Sequence, residues 1–250
     1  MNKFVLLIYR VILILLCFSF ILGCSNKYDK EACAKIDTVS KIVFENPDSA
    51  LKILNGIDIR LIVNDNIKAD YAMSLIMSRF KCRDFNCPDY LISIATDYYS
   101  NNYPKYKDRA MWSFYYKGFI MLLNNNTKES IWNLVQAREL CEDKNYYALG
   151  HIYETMADAY RMCYNMATCI PYRDMAKKNY IKSNRYDNAF FAANDLSKDY
   201  IGCGQIARAK DIIDSLDNTK LVGEQKALLE MSNIYLLMNQ KKVFGSIGDL

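Results

Sequence analysis

The sequence predicts an all-α fold, a solenoid of about five helix–turn–helix hairpins closed by a final helix, and three observations predict it. Chain breakers are scarce: 9 Gly and 4 Pro in 250 residues leave too few turns for a β fold of this length. The chain is 52% hydrophobic and 24% charged, so it can bury a substantial core and disorder is not expected. One spacing also recurs. Phe114 is followed four residues later by Gly118 and three further on by Met121. Tyr153, Ala157 and Tyr160 repeat it, as do Ala193, Ser197 and Tyr200. Twelve residues after each central small residue comes another, Ser130, Cys169 and Ala209, and seven beyond these stand Ala137, Ala176 and Leu216. Gly118 to Ala157 is 39 residues, and Ala157 to Ser197 is 40.

The physical meaning of the spacing is helix packing. Small residues at fixed positions let the two helices of a hairpin approach closely, large residues fill the groove between them, and each hairpin leaves an apolar face for the next. In chain order, a first helix is expected over about Glu31–Phe44. Its partner starts at Asn46-Pro-Asp-Ser-Ala50, where Asp48 or Ser49 can cap and Ala50 takes the small position. Ile67–Cys82 and Pro88–Tyr99 form a second hairpin, and residues 111–216 hold the three clearest copies. Gly202-Cys-Gly204 reads as a turn between helices. Leu221–Leu237 reads as the first helix of a sixth repeat. The repeat domain therefore spans 31–238, and residues 239–250, Gly-containing and nonperiodic, read as an irregular tail.

Residues 1–23 read as a secretory leader. Lys3 and Arg10 supply a basic start, an apolar run covers Val11–Leu22, and small residues follow. Ile21-Leu22-Gly23-Cys24 resembles the lipobox of bacterial lipoproteins, although Leu22 stands where Ala or Ser is commoner. The resemblance implies lipidation of Cys24 with palmitate-type acyl chains, cleavage before it, and a short tether over 24–30. Several acyl chains anchor stably, since each buried methylene contributes about 0.8 kcal/mol. The competing reading is an uncleaved signal anchor with an incidental cysteine.

The repeat resembles the tetratricopeptide repeat, whose period is about 34 residues; the longer period here implies extra residues in turns or longer helices. The Asn46-Pro-Asp-Ser-Ala-Leu start after a lipobox is similar to the tetratricopeptide lipoproteins abundant in Gram-negative anaerobes of the Bacteroidales type. The resemblance implies a right-handed superhelix whose first helices line a concave groove. It assigns to that groove Trp112, Tyr115, Phe119 and Leu122, then His151, Glu154, Asp158 and Arg161, then Phe191, Asn194, Lys198 and Ile201. An aromatic set beside a charged one would suit an extended peptide or a helix. Trp112, Tyr115 and Phe119 can equally be packing residues. Glu154 and Asp158, one helical turn apart, read as a solvated face rather than an acid–base pair.

No catalytic, nucleotide or metal signature is present. The glycines form neither GxGxxG nor GxxxxGK[ST], no GxSxG elbow occurs, and His151 is the single histidine. No cofactor, metal or enzyme activity is expected. The net charge of +4 falls to +2 once Lys3 and Arg10 are removed, which gives no footprint for nucleic acid. The cysteines beyond Cys24, from Cys33 to Cys203, are irregularly spaced and form no disulfide framework, although Cys82 and Cys87 flank a predicted turn and could pair. Asn125-Asn-Thr127, a glycosylation sequon, reads as a loop.

These observations favour a non-catalytic scaffold, lipid-anchored on the periplasmic side of the cell envelope at the outer membrane, that binds a protein or peptide. Two alternatives differ in class. One is a sensory or regulatory module, a shortened relative of repeat proteins that continue into a membrane helix and a DNA-binding tail. The other is a glycan-capturing lipoprotein, suggested by the aromatics.

Overall fold

The structure, a computed structural model, describes residues 27–216, 221 and 223–248, with 241–248 as backbone. The leader and Cys24 lie outside the described residues. Helices account for nearly all of them: α1 (27–42), α2 (Pro47–Asn55), α3 (Asp65–Lys81), α4 (Asp89–Asn101), α5 (Lys107–Leu123), α6 (Thr127–Leu140), α7 (Tyr146–Met162), α8 (Met166–Lys182), α9 (Tyr186–Gly202), α10 (Ile206–Asp214) and α11 (Glu224–Gly248). A 3₁₀ turn, Ile59–Leu61, links α2 to α3. The fold is all-α, with the chain organised as five hairpins and a final helix among the described residues. None of these helices is long and apolar enough to cross a membrane.

Local chemistry places the helix ends. Asn46, Asn64, Asn126, Asn145 and Asn165 each cap a helix by accepting a backbone N–H two or three residues on. The turns repeat one geometry. Asn125, Tyr164, Asn184 and Gly204 adopt left-handed φ of +56 to +70°, and the next residue's N–H reaches back to the carbonyl five residues earlier: Asn126 to Met121, Asn165 to Tyr160, Arg185 to Tyr180, Gln205 to Tyr200, each at 2.9 Å. This is the Schellman stop, which satisfies carbonyls a helix end leaves open.

These turns explain the long period. Helices α7 and α8 have 17 residues each, and three residues follow each of them, which gives the 40-residue spacing. The extra length lies in the helices rather than in the turns.

The chain divides into two compact units, 1–117 and 118–250, with the boundary inside α5. In the first unit α2 packs on α3 and α3 on α4. In the second, α6 packs on α7, α7 on α8, α8 on α9, and α9 on both α10 and α11. The small residues of the recurring pattern form the seams. Ala157, Ser197, Ser130, Cys169, Ala209, Ala137 and Ala176 are all fully buried. At Gly118 an added Cβ would lie 2.8 Å from Leu134 Cγ on the partner helix, so only glycine permits that approach.

Four expectations need correction. The cap of α2 is Asn46, which accepts the Ser49 N–H, rather than Asp48 or Ser49, because the helix already begins at Pro47. The first helix already includes residues 27–30, which were expected in a tether: Tyr28 Oη accepts the Asp58 N–H at 2.7 Å, and the Asp29 carboxylate accepts the N–H groups of Val63 and Asn64. Ordering this turn satisfies three loop donors. Residues 239–248 continue α11 instead of forming an irregular tail, because an interior Gly costs a helix only about 1 kcal/mol. Cys82 and Cys87 are both free. Cys82 Sγ lies 3.5 Å from Asp48 Oδ1, while Cys87 is buried elsewhere in the turn.

Candidate functional site

In the second unit the charged residues of α7 turn inward. Arg173 of α8 occupies the seam position between Cys169 and Ala176 and is fully buried. Its Nη2 donates to Asp158 Oδ1 at 2.6 Å, its Nε to Asp199 Oδ2 of α9 at 3.2 Å, and its Nη1 to the Glu154 carbonyl at 3.4 Å. Asp199, 2% exposed, also pairs with Arg161 Nη2 at 2.8 Å and accepts from the Cys169 thiol. Burial pulls the Arg173 pKa down, but the carboxylates around it, Asp158 foremost, hold it above the ordinary value. Burial beside Asp199 pushes the Cys169 thiol up to about 11. A guanidinium in this setting is tolerated because its donors are taken by two carboxylates and a carbonyl.

One turn away stands a second group. The Tyr180 hydroxyl of α8 donates to Glu154 Oε2 at 2.5 Å and lies 3.0 Å from His151 Nδ1. Burial drives the Glu154 carboxyl up to about 7; the Tyr180 hydrogen bond opposes this and Asp158 adds to it. The Tyr180 ring fits against α7 because residue 150 is glycine.

The first unit holds a related tyrosine–carboxylate pair, with Asp70 at the helix position that His151 takes in α7. Tyr99 of α4 is fully buried and donates its hydroxyl to Asp70 of α3 at 2.5 Å. There a cation completes the group: Arg109 of α5 binds the same carboxylate and lies over the Tyr99 ring. In the α7–α8 hairpin the third member is a histidine.

The expected groove residues divide accordingly. On α5, Tyr115 and Leu122 are buried, while Trp112 and Phe119 are half-buried; Trp112 meets Tyr115 edge-on at 5.5 Å between ring centres. His151, Glu154, Asp158 and Arg161 belong to the networks above, so the expectation of a solvated face is corrected for Glu154, while Asp158 pairs with Arg173 and keeps its side chain 42% exposed. Helix spacing shows which residues share a face but not that α8 and α9 cover it. On α9, Asn194 is buried and accepts the Ser232 hydroxyl of α11 at 2.7 Å. Ile201 joins a core cluster with Leu229 and Leu236, and Phe191 packs on it. Helix α11 thus covers three of the four fifth-repeat positions. Lys198 remains, paired with Asp195 on its own helix.

Two surface clefts lie elsewhere. One of about 560 Å³ in the first unit is lined by Tyr90, Ile94, Asp97 and Tyr98 of α4 with Asp65 and Lys68 of α3. One of about 270 Å³ in the second lies among Val135 and Arg138 of α6, Tyr153 and Met156 of α7, and Tyr172 and Met175 of α8. Among the described residues no group of three or more His, Cys, Asp or Glu side chains could hold a metal ion.

Sequence reasoning missed Arg173, Tyr180, Asp199 and the Asp70–Tyr99–Arg109 group. A signal existed for Arg173: it sits four residues after Cys169 and three before Ala176, a charged residue on an otherwise small, buried seam.

Packing of this kind defines a class of fold, the TPR-like helical repeat. No family model matches the sequence, and no curated protein matches it. Among solved structures, a Podosopora anserina protein assigned as a kinesin light chain, with nearly identical TPR-like repeats, superposes with a TM-score of 0.54 at 10% identity, over 82% of this chain and 97% of that one. A single-substitution variant of the same protein gives 0.54 at 11% identity, over 86% and 98%. At these identities the likeness concerns the fold.

Proposed function

We propose that this chain is a non-catalytic scaffold, held at the cell envelope by lipid on Cys24, that binds a protein or peptide partner. The observation that carries the scaffold reading is the TPR-like succession of hairpins over most of the chain. The charged side chains of α7, α8 and α9 are used to hold helix to helix rather than gathered around an open cleft, which supports a role without catalysis. The anchor reading rests on Ile21–Cys24 at the end of an apolar leader, and the location that goes with it is the periplasmic side of the outer membrane. In the second unit the partner's contacts would be Phe119 on α5, Lys198 on α9 and the exposed edges of Asp158 and Arg161; in the first unit, Trp112 is a contact considered by itself. A half-buried aromatic can anchor a partner at low entropic cost.

Two measurements test this. Mass spectrometry of the detergent-extracted protein should find an acylated Cys24 at its N-terminus; an unmodified Met1 start would sink the anchor. Crosslinked pull-down with the full chain should recover a partner that a Trp112→Ala variant with unchanged helicity loses. Recovery of nothing specific by either form overturns the scaffold reading.

A further inference from the structure

We propose that Glu154, Tyr180 and His151 form a proton-sharing triad on the α7–α8 seam, in which protonation of the carboxylate sets the direction of both hydrogen bonds and the tautomer of the histidine. The geometry is a chain of two hydrogen bonds through one hydroxyl: Glu154 Oε2 at 2.5 Å and His151 Nδ1 at 3.0 Å from Tyr180 Oη. A hydroxyl has one hydrogen. When Glu154 is ionised, Tyr180 donates to it, and His151 Nδ1 must then carry the hydrogen that faces the Tyr180 oxygen. When Glu154 takes a proton from water, its O–H can donate to Tyr180. The Tyr180 hydrogen then turns to His151 Nδ1, which becomes the acceptor, and the ring hydrogen moves to Nε2 by exchange with solvent. Protonation of the carboxylate thus reverses both hydrogen bonds and switches the histidine tautomer, without any change in the heavy-atom contacts.

The charges around the triad select Glu154 as the proton's place. On α7 itself stand Asp158 and Arg161. From α8 comes Arg173; of that helix's other charged residues, Asp174 pairs with Lys177 and Lys178, and Lys182 lies over the Tyr146 ring. Tyr147 of α7 meets the His151 ring at 4.6 Å, and Arg185, just after α8, lies over Tyr147. From α9 come Asp195, Lys198 and Asp199. Arg138 of α6 turns to Tyr153 and Asp143, and the part of α5 in this unit, Gly118–Leu123, has no charged group. Asp199 and Asp158 are matched by Arg161 and Arg173, and Asp195 by Lys198. Glu154 is the carboxylate left without a cation, since Arg173 gives it only a contact to the carbonyl. The carboxylate that Tyr99 meets in the first unit, Asp70, stands at the α3 position that His151 holds in α7, and it has Arg109. The upward shift of Glu154 to about 7 agrees with this accounting.

The chain has one histidine, so its two ring nitrogens can be followed in the ¹⁵N-labelled full-length protein without residue assignment. As pH falls from 8.5 through 7, the Nδ1 resonance should move from the protonated, pyrrole-type position to the unprotonated, pyridine-type position, with Nε2 moving the opposite way. Tyr180→Phe, which keeps the ring and removes the relay, should abolish the exchange, and in folded Glu154→Gln no tautomer exchange should remain between pH 8.5 and 7. An Nδ1 that stays pyrrole-type throughout, or both nitrogens converging on the imidazolium position, overturns the proposal. The wild-type measurement decides it even if Glu154→Gln does not fold.

Discussion

The ring of Tyr180 lies so close to Gly150 that a Cβ placed there would sit 2.6 Å from two of its carbons. Glycine is therefore what lets α8 bring the Tyr180 hydroxyl to Glu154. Gly150→Ala gains about 1 kcal/mol of helix propensity but forces a fully buried ring out of place, at a cost of about 1–3 kcal/mol. The cost wins. We expect a net loss of up to about 2 kcal/mol, read as a lower urea midpoint with an unchanged slope. A raised midpoint would show that α8 can shift freely.

Stability should fall as pH rises toward neutrality. The Glu154 carboxyl has a folded-state pKa of about 7 against an ordinary 4.5, so between these values the folded chain binds more protons than the unfolded one. The contribution is fully present below about 4.5 and is lost as pH climbs through 7. Two and a half units correspond to at most about 3 kcal/mol, and partial exposure reduces this to about 1–2 kcal/mol. Urea midpoints measured from pH 5 to 8.5 should decline for the wild type and flatten for Glu154→Gln. A parallel decline in both would assign the dependence to other groups.

Removing Arg173 should be among the most damaging single changes. Arg173→Ala leaves Asp199, 1% exposed at its side chain, with Arg161 alone, and opens a cavity on the α8 seam. Breaking a buried pair from one side costs about 3–5 kcal/mol. Arg161→Ala, at a position one-third exposed, should cost clearly less. Equal losses for the two would contradict the central placement of Arg173.

Tyr164 offers a stabilising change. It holds φ at +56° in the α7–α8 turn, and it is 90% exposed, so it has little packing to lose. Left-handed backbone costs an L-residue about 1 kcal/mol that glycine avoids. Tyr164→Gly should raise the thermal midpoint by a few degrees, whereas a lowered midpoint would reveal a contact of the phenol ring.

The cysteines should separate by accessibility. Under native conditions, alkylation should reach Cys33, Cys163 and Cys203, which are exposed, and spare Cys87, Cys141 and Cys169, which are buried. Cys169 should be the slowest, since its thiol is held at about 11 and the thiolate is the reactive form. Peptide mapping after a short iodoacetamide pulse checks the order. A Cys82–Cys87 crosslink in the same map would contradict the free thiols found here.

What the sequence determined by itself is local or periodic. Small residues at fixed spacing act within one hairpin, and so the hairpins and their seams could be read in order, whereas the cap of α2 was expected at Asp48 or Ser49 and is Asn46. The 39- and 40-residue spacing was legible for the same reason, although only the structure showed that long helices produce it. The tertiary structure decided the direction in which polar faces turn. Glu154 and Asp158 share a face by spacing alone, but that face is closed by Arg173 and Tyr180 from α8 and by Asp199 from α9, residues some 15 to 45 positions away. Asn194 and Ile201 are taken into the core by α11 in the same manner. A helix dictates which residues lie together; whether they meet water or a neighbour depends on packing between segments distant in the chain. Buried charge is tolerated only where that packing supplies a counter-charge or, at Glu154, a proton.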